Sequence, residues 1–141
     1  MNKLLVVGIA GVLASTMAFA APAPAHSAQD EVTTAHAHAV MASTADTVEI
    51  GHAHMHHVIN CLVGPQGKGF DAAAGNPCKG LGNGAIPDSK GDAALQAKLK
   101  AALADVQAGL AAYDLAGIHA NGKKAAAALK TKDATAPAAS W

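Results

Sequence analysis

From Asp92 onward, Leu95, Leu99, Ala102, Leu103, Val106, Leu110 and Tyr113 recur at intervals of three and four residues. Only an α-helix gathers such a period on one face, and a stripe this regular has to be buried against a second element. Alanine fills most of the positions between. Large aromatic residues are scarce, with Phe19, Phe70, Tyr113 and Trp141 the whole set, so the core must come from helices packed closely through small side chains and held by additional staples.

Three more segments fit that scheme. Residues 30–43 start with Asp30 and Glu31 and carry Val32, Ala35 and Ala39 at helical spacing. Asp46 and Glu49 form a capping-box-like D-x-x-E ahead of Val48, Met55, Val58, Ile59 and Leu62, which predicts a second helix over 47–62. Gly51 weakens its first turns, and Gly64-Pro65 stops it. Asp114 is placed to end the third helix and cap a fourth, with Ile118, Ala125 and Leu129 inward and Lys123, Lys124, Lys130 and Lys132 outward. Gly117 and Gly122 weaken that fourth helix. The expected fold is all-α, an up-down four-helix bundle spanning 30–132.

Between the second and third helices, residues 64–91 are dense in glycine and contain Pro65, Pro77 and Pro87. No helix or ordinary strand tolerates that composition, so a long structured loop is expected. Cys61 and Cys78 are the two cysteines. A disulfide between them would staple the loop to the second helix, contributing about 3 kcal/mol by chain entropy; thiolate metal ligation is the alternative. Phe70 is expected to plug the bundle edge.

The first twenty residues have Lys3 followed by an apolar run from Leu4 to Leu13 and the small residues Ala18-Phe19-Ala20, the pattern of a secretory signal peptide over 1–20. Cleavage after Ala20 is expected, with Ala23 or Ala25 as alternatives. Residues 21–29 read as a flexible leader and 133–141 as a mobile tail, whose Trp141 has no evident role. Export to the periplasm or the exterior follows, along with an oxidising environment for the cysteines. No later segment is apolar enough to span a bilayer. Without Lys3, nine lysines face ten acidic residues and there is no arginine, which disfavours nucleic acid as a partner. Dimerisation through alanine-rich faces stays open.

The chemistry lies in the histidines. Of eight, seven fall between His26 and His57: His26, His36, His38, His52, His54, His56 and His57. His119 stands apart. The strings AHAHAVM and GHAHMHH share an H-A-H core beside a methionine, which suggests a repeated binding unit. His52 and His56, at i and i+4, project side by side from one helix face and can share a metal. His36, near the buried side of the first helix, or His119 could complete an interhelical site with them. His52, His56 and His36 are the leading ligands, and His54, His57, His38 and His119 are secondary. His54, His57 and Cys61 gather on a different face, where His57 together with Asn60-Cys61 could instead orient the loop, its imidazole donating to loop carbonyls. Imidazole suits copper, nickel and zinc, and Met41 and Met55 would favour copper(I). Set against this is a His-rich surface that only gains charge below about pH 6.5.

C-x-x-C-H, H-E-x-x-H, G-x-S-x-G and the phosphate-binding G-x-x-x-x-G-K-[ST] are all absent from the sequence. Glu49 and His52 form a single E-x-x-H, and Glu31 is the only other glutamate, too few for a di-iron carboxylate site. An enzyme is therefore not expected.

An exported, alanine-rich helical chain with the H-A-H and H-x-H-H segments of its first two helices resembles the small periplasmic His-rich metal-binding four-helix-bundle proteins of proteobacteria. The resemblance covers about half of the mature chain. It implies buffering or sequestration of a divalent or soft metal ion such as Cu, Ni or Zn. The chain departs from the pattern in its loop over 64–91 and in carrying few histidines on its C-terminal helices, which argues against sites along the whole bundle. A structural or partner-binding envelope protein that uses the Gly-rich loop as its recognition surface is the alternative.

Overall fold

The computed structural model describes residues 28–130; the signal, most of the leader with His26, and the tail with Lys132 and Trp141 lie outside the described residues. Among the described residues the chain is all-helical, with five helices and no strand: α1 (Ala28–Ala42), α2 (Val48–Val63), α3 (Ala85–Asp88), α4 (Ala93–Leu110) and α5 (Leu115–Leu129). Side-chain caps start three of them. Thr47, Asp92 and Asp114 accept from the backbone N–H groups of Ile50, Leu95 and Gly117 at 3.2, 2.9 and 2.8 Å, each satisfying a donor that has no partner inside the helix. The cap of α2 is thus Thr47, not Asp46: the extended conformation falls on Thr47 itself (φ −134°, ψ 159°).

Two further differences from the expected pattern have local causes. The loop over 64–91 contains the one-turn helix α3, even though Pro87 lies inside it. Pro87 is its third residue, where a backbone N–H would have no intrahelical partner, so the missing donor costs nothing. Tyr113 is 98% exposed rather than on the apolar face. Asp114 must be extended to cap α5 (φ −131°, ψ 160°), so α4 ends at Leu110 and Tyr113 falls in the turn.

The core joins Val32, Ala35, Ala39 and Ala42 of α1 to Met55, Val58, Ile59 and Leu62 of α2, Leu99, Ala102 and Val106 of α4, and Ile118, Ala125 and Leu129 of α5. Phe70 and Leu81 pack against it from the loop. Glycines let helices approach where alanine would not. A Cβ on Gly51 would meet Ile118 Cγ2 at 2.6 Å, and one on Gly122 would lie 2.8 Å from the backbone nitrogen of Ser43. Positions that weaken isolated helices are here the points of closest contact between α2, α5 and the α1–α2 turn. Cys61 and Cys78 form a disulfide with 5.2 Å between Cα atoms, joining α2 to the loop.

Glu31 is the one buried acid among the described residues, 1% exposed. Its Oε1 accepts from the Gly84 N–H at 2.7 Å, so α1 grips the loop just before α3. Burial raises its pKa from the usual 4.5 to about 7; the Gly84 bond opposes the shift and the neighbouring Asp88 charge adds to it. A carboxyl whose folded pKa exceeds its unfolded one holds a proton more readily when folded. Its contribution to stability is complete below about pH 4.5 and is lost as pH rises through 7. Thermal unfolding should therefore show Glu31→Gln gaining about 3 kcal/mol on the parent at pH 8 and little at pH 4.5. Equal pH profiles for the two would show that the buried carboxyl does not control this dependence.

Candidate metal centre

The short connection over 43–47 folds α1 back along α2, and those helices share extensive contact. His38, seven residues before Ala45, thereby comes opposite the middle of α2. There His54 and His57, three residues apart, lie about 60° from one another around the helix. One ring nitrogen from each of His38, His54 and His57 falls within 4.8 Å of the others. The His38 Nδ1 is 3.2 Å from His54 Nδ1 and 3.3 Å from His57 Nδ1. Zinc–imidazole bonds of about 2.0–2.1 Å in tetrahedral arrangement set ligand nitrogens roughly 3.3–3.4 Å apart. The observed contacts match that edge.

The protonation pattern is incompatible with a simple hydrogen-bonded cluster. His57 Nε2 lies 2.8 Å from the Ala74 carbonyl oxygen, which can only accept, so Nε2 carries the hydrogen and a neutral His57 turns a bare Nδ1 lone pair inward. The His38 Nδ1 has at most one hydrogen to share between two neighbours. One of its two contacts therefore has no hydrogen of its own unless a cation takes its place. All three rings are half-buried. Burial, and then the charges of His57 and His54, lower the His38 pKa to about 4. His54 is lowered by burial and by His57. These shifts favour neutral imidazole, the form that binds metal.

The loop supplies the outer support. Asn60 is fully buried and donates from Nδ2 to the carbonyls of Asp71 at 2.7 Å and Gly75 at 2.5 Å. Its Oδ1 accepts from the Asp71 N–H at 2.8 Å. Asp71 Oδ1 in turn accepts from the Ala73 N–H at 2.9 Å. The 71–75 turn is thus pinned to α2, and its Ala74 carbonyl is aimed at His57. A carbonyl on the far nitrogen of a ligating histidine fixes both tautomer and ring orientation.

The other histidines go elsewhere. His52 Nε2 donates to the Ala112 carbonyl at 3.1 Å, and His119 Nε2 to the Ala45 carbonyl at 2.8 Å. Each ties one helix to the turn joining two others. His56 Nδ1 lies 3.5 Å from Asp71 Oδ2. His36, its pKa lowered by burial and by the charge of Lys130, sits on the α5 side of α1. Met55 is buried in the core. Among the described residues, neither His36 nor His119 joins His52 and His56 in a group of three; the group found comprises His54, His57 and His38. We expect His52→Ala and His119→Ala each to cost about 1 kcal/mol of stability without changing metal stoichiometry. Calorimetric unfolding paired with metal titration reads both, and a lost metal equivalent in either variant would contradict it.

Comparisons with protein families, with curated proteins and with solved structures find no match to this chain.

Proposed function

We propose that the chain is an exported, non-catalytic protein that buffers or sequesters one borderline metal ion, Cu, Ni or Zn, at His38, His54 and His57. The observation that carries this is the convergence of three Nδ1 atoms, with His57 committed by Ala74 to present a lone pair. A ligand set of three neutral imidazoles favours these metals over magnesium or calcium, which prefer oxygen. The compartment reading draws support from the Cys61–Cys78 disulfide and from the signal-like pattern at 1–20. No helix among the described residues is long and apolar enough to cross a membrane. An up-down four-helix bundle is the arrangement we favour. Helices α1, α2, α4 and α5 make their main contacts as the neighbouring pairs α1–α2, α2–α4, α4–α5 and α5–α1, which is a closed ring of four.

Isothermal titration of the purified chain with Cu(II), Ni(II) and Zn(II) at pH 7.5 tests the proposal. The expected result is one saturable site for at least one of these metals, tighter than in a peptide of residues 51–57. Binding no tighter than that peptide's would overturn it.

A further inference from the structure

A groove of about 500 Å³ opens where the end of α2, α3 and the first half of α4 meet, and it shares no residue with the histidine centre. Its volume falls within the roughly 300–1,000 Å³ typical of small-molecule sites. Val63, Ile86, Pro87 and Leu103 supply apolar surface, and Lys68, Lys90 and Lys100 also line it, with no acidic residue among the lining. Among the described residues none of these lysines is in an ion pair; the one carboxylate contact within salt-bridge distance belongs to His56 and Asp71.

The two carboxylates that flank Lys90 are held by neutral donors. Asp88 accepts from the backbone and side-chain nitrogens of Asn83 at 2.7 and 3.1 Å, and Asp92 caps α4 through the Leu95 N–H. Three ammonium groups without an ion-pair partner among the described residues, bordering apolar surface, suit a ligand with a hydrocarbon body and an anionic end. The groove is also held in shape. Gln96 Nε2 donates to the Ile86 carbonyl at 2.9 Å, fastening α3 to α4.

We propose that this groove binds a monomeric single-chain amphiphile with an anionic head group, of the free fatty acid class, with its chain on Val63, Ile86, Pro87 and Leu103 and its head among the three lysines.

Titration calorimetry of the full chain with octanoate and decanoate tests the proposal, with octanol, acetate and anionic phospholipid vesicles as controls. Decanoate should bind about tenfold more tightly than octanoate, as two further buried methylenes require. Octanol should bind more weakly than octanoate, and acetate should give no saturable heat. The Lys90→Gln/Lys100→Gln variant should lose about fivefold or more in decanoate affinity and keep its octanol affinity, with far-UV circular dichroism unchanged. Any one of four results would overturn the proposal: no saturable binding of decanoate, octanol matching octanoate, decanoate affinity unaltered in the lysine variant, or binding to vesicles without binding to monomeric decanoate.

Discussion

Replacing His38 with alanine is expected to weaken metal binding at least 100-fold, an order of magnitude set by the roughly 10–100-fold cost of losing only an outer-shell partner. His38 is the single contribution of α1 to the centre, and its Nδ1 lies between those of His54 and His57 at 3.2 and 3.3 Å. Without it, two imidazoles on one helix remain, and the geometry that joins two helices around an ion is gone. The fold should survive, because His38 is half-buried and donates to no backbone group that depends on it. The double variant His52→Ala/His56→Ala provides the contrast. It removes the pair at i and i+4, yet affinity should stay within about threefold of the parent, well inside the tenfold that 1.4 kcal/mol represents. A result in which the double variant loses binding and His38→Ala keeps it would move the centre to the other face of α2.

The second large effect is expected at Asn60. Alanine there removes three part-buried hydrogen bonds to the 71–75 turn, which should cost about 3 kcal/mol in denaturant unfolding. The same change releases the Ala74 carbonyl from its aim at His57 Nε2. Metal affinity should therefore fall about 10–100-fold even in the fraction that remains folded. Titration well below the unfolding midpoint separates the two effects. Loss of stability with unaltered affinity would make Asn60 a loop anchor and nothing more.

The helices could be read from the sequence because their signals are local. The apolar period and the caps Asp92 and Asp114 depend only on residues within a turn or two. The centre could be read only in part, for a reason visible on α1. At about 100° per residue, His36 and His38 lie on opposite flanks of the stripe formed by Val32, Ala35, Ala39 and Ala42, each about 80° from its middle. Periodicity gives them equal standing. What separates them is which neighbour occupies which flank: α2 faces His38, and α5 with Lys130 faces His36. The same ambiguity holds on α2, where His52 and His54 flank Gly51, Met55, Val58 and Leu62 on opposite sides. The i and i+4 pairing draws attention to His52, but the Ala112 carbonyl takes that side.

The role of the loop was partly legible too. That His57, together with Asn60 and Cys61, orients the loop by donating from its imidazole to loop carbonyls follows from their place beside a glycine-rich segment. The carbonyls that receive them, of Ala74, Asp71 and Gly75, are fixed only by the tertiary course of the chain. Glycines 51 and 122 show the reverse case. Propensity marks them as weak points, whereas the folded chain uses the missing Cβ for close approach to Ile118 and Ser43.

The most direct test of the centre is a ¹⁵N–¹H correlation spectrum of the histidine rings during zinc titration of the full chain at pH 7.5. At one equivalent, the Nδ1 resonances of His38, His54 and His57 should move to metal-bound positions. His57 should keep its hydrogen on Nε2, and His52 and His119 should be unchanged. Metal-induced shifts on His52 and His56 in place of the triad, or none on any ring at saturating zinc, would contradict the assignment.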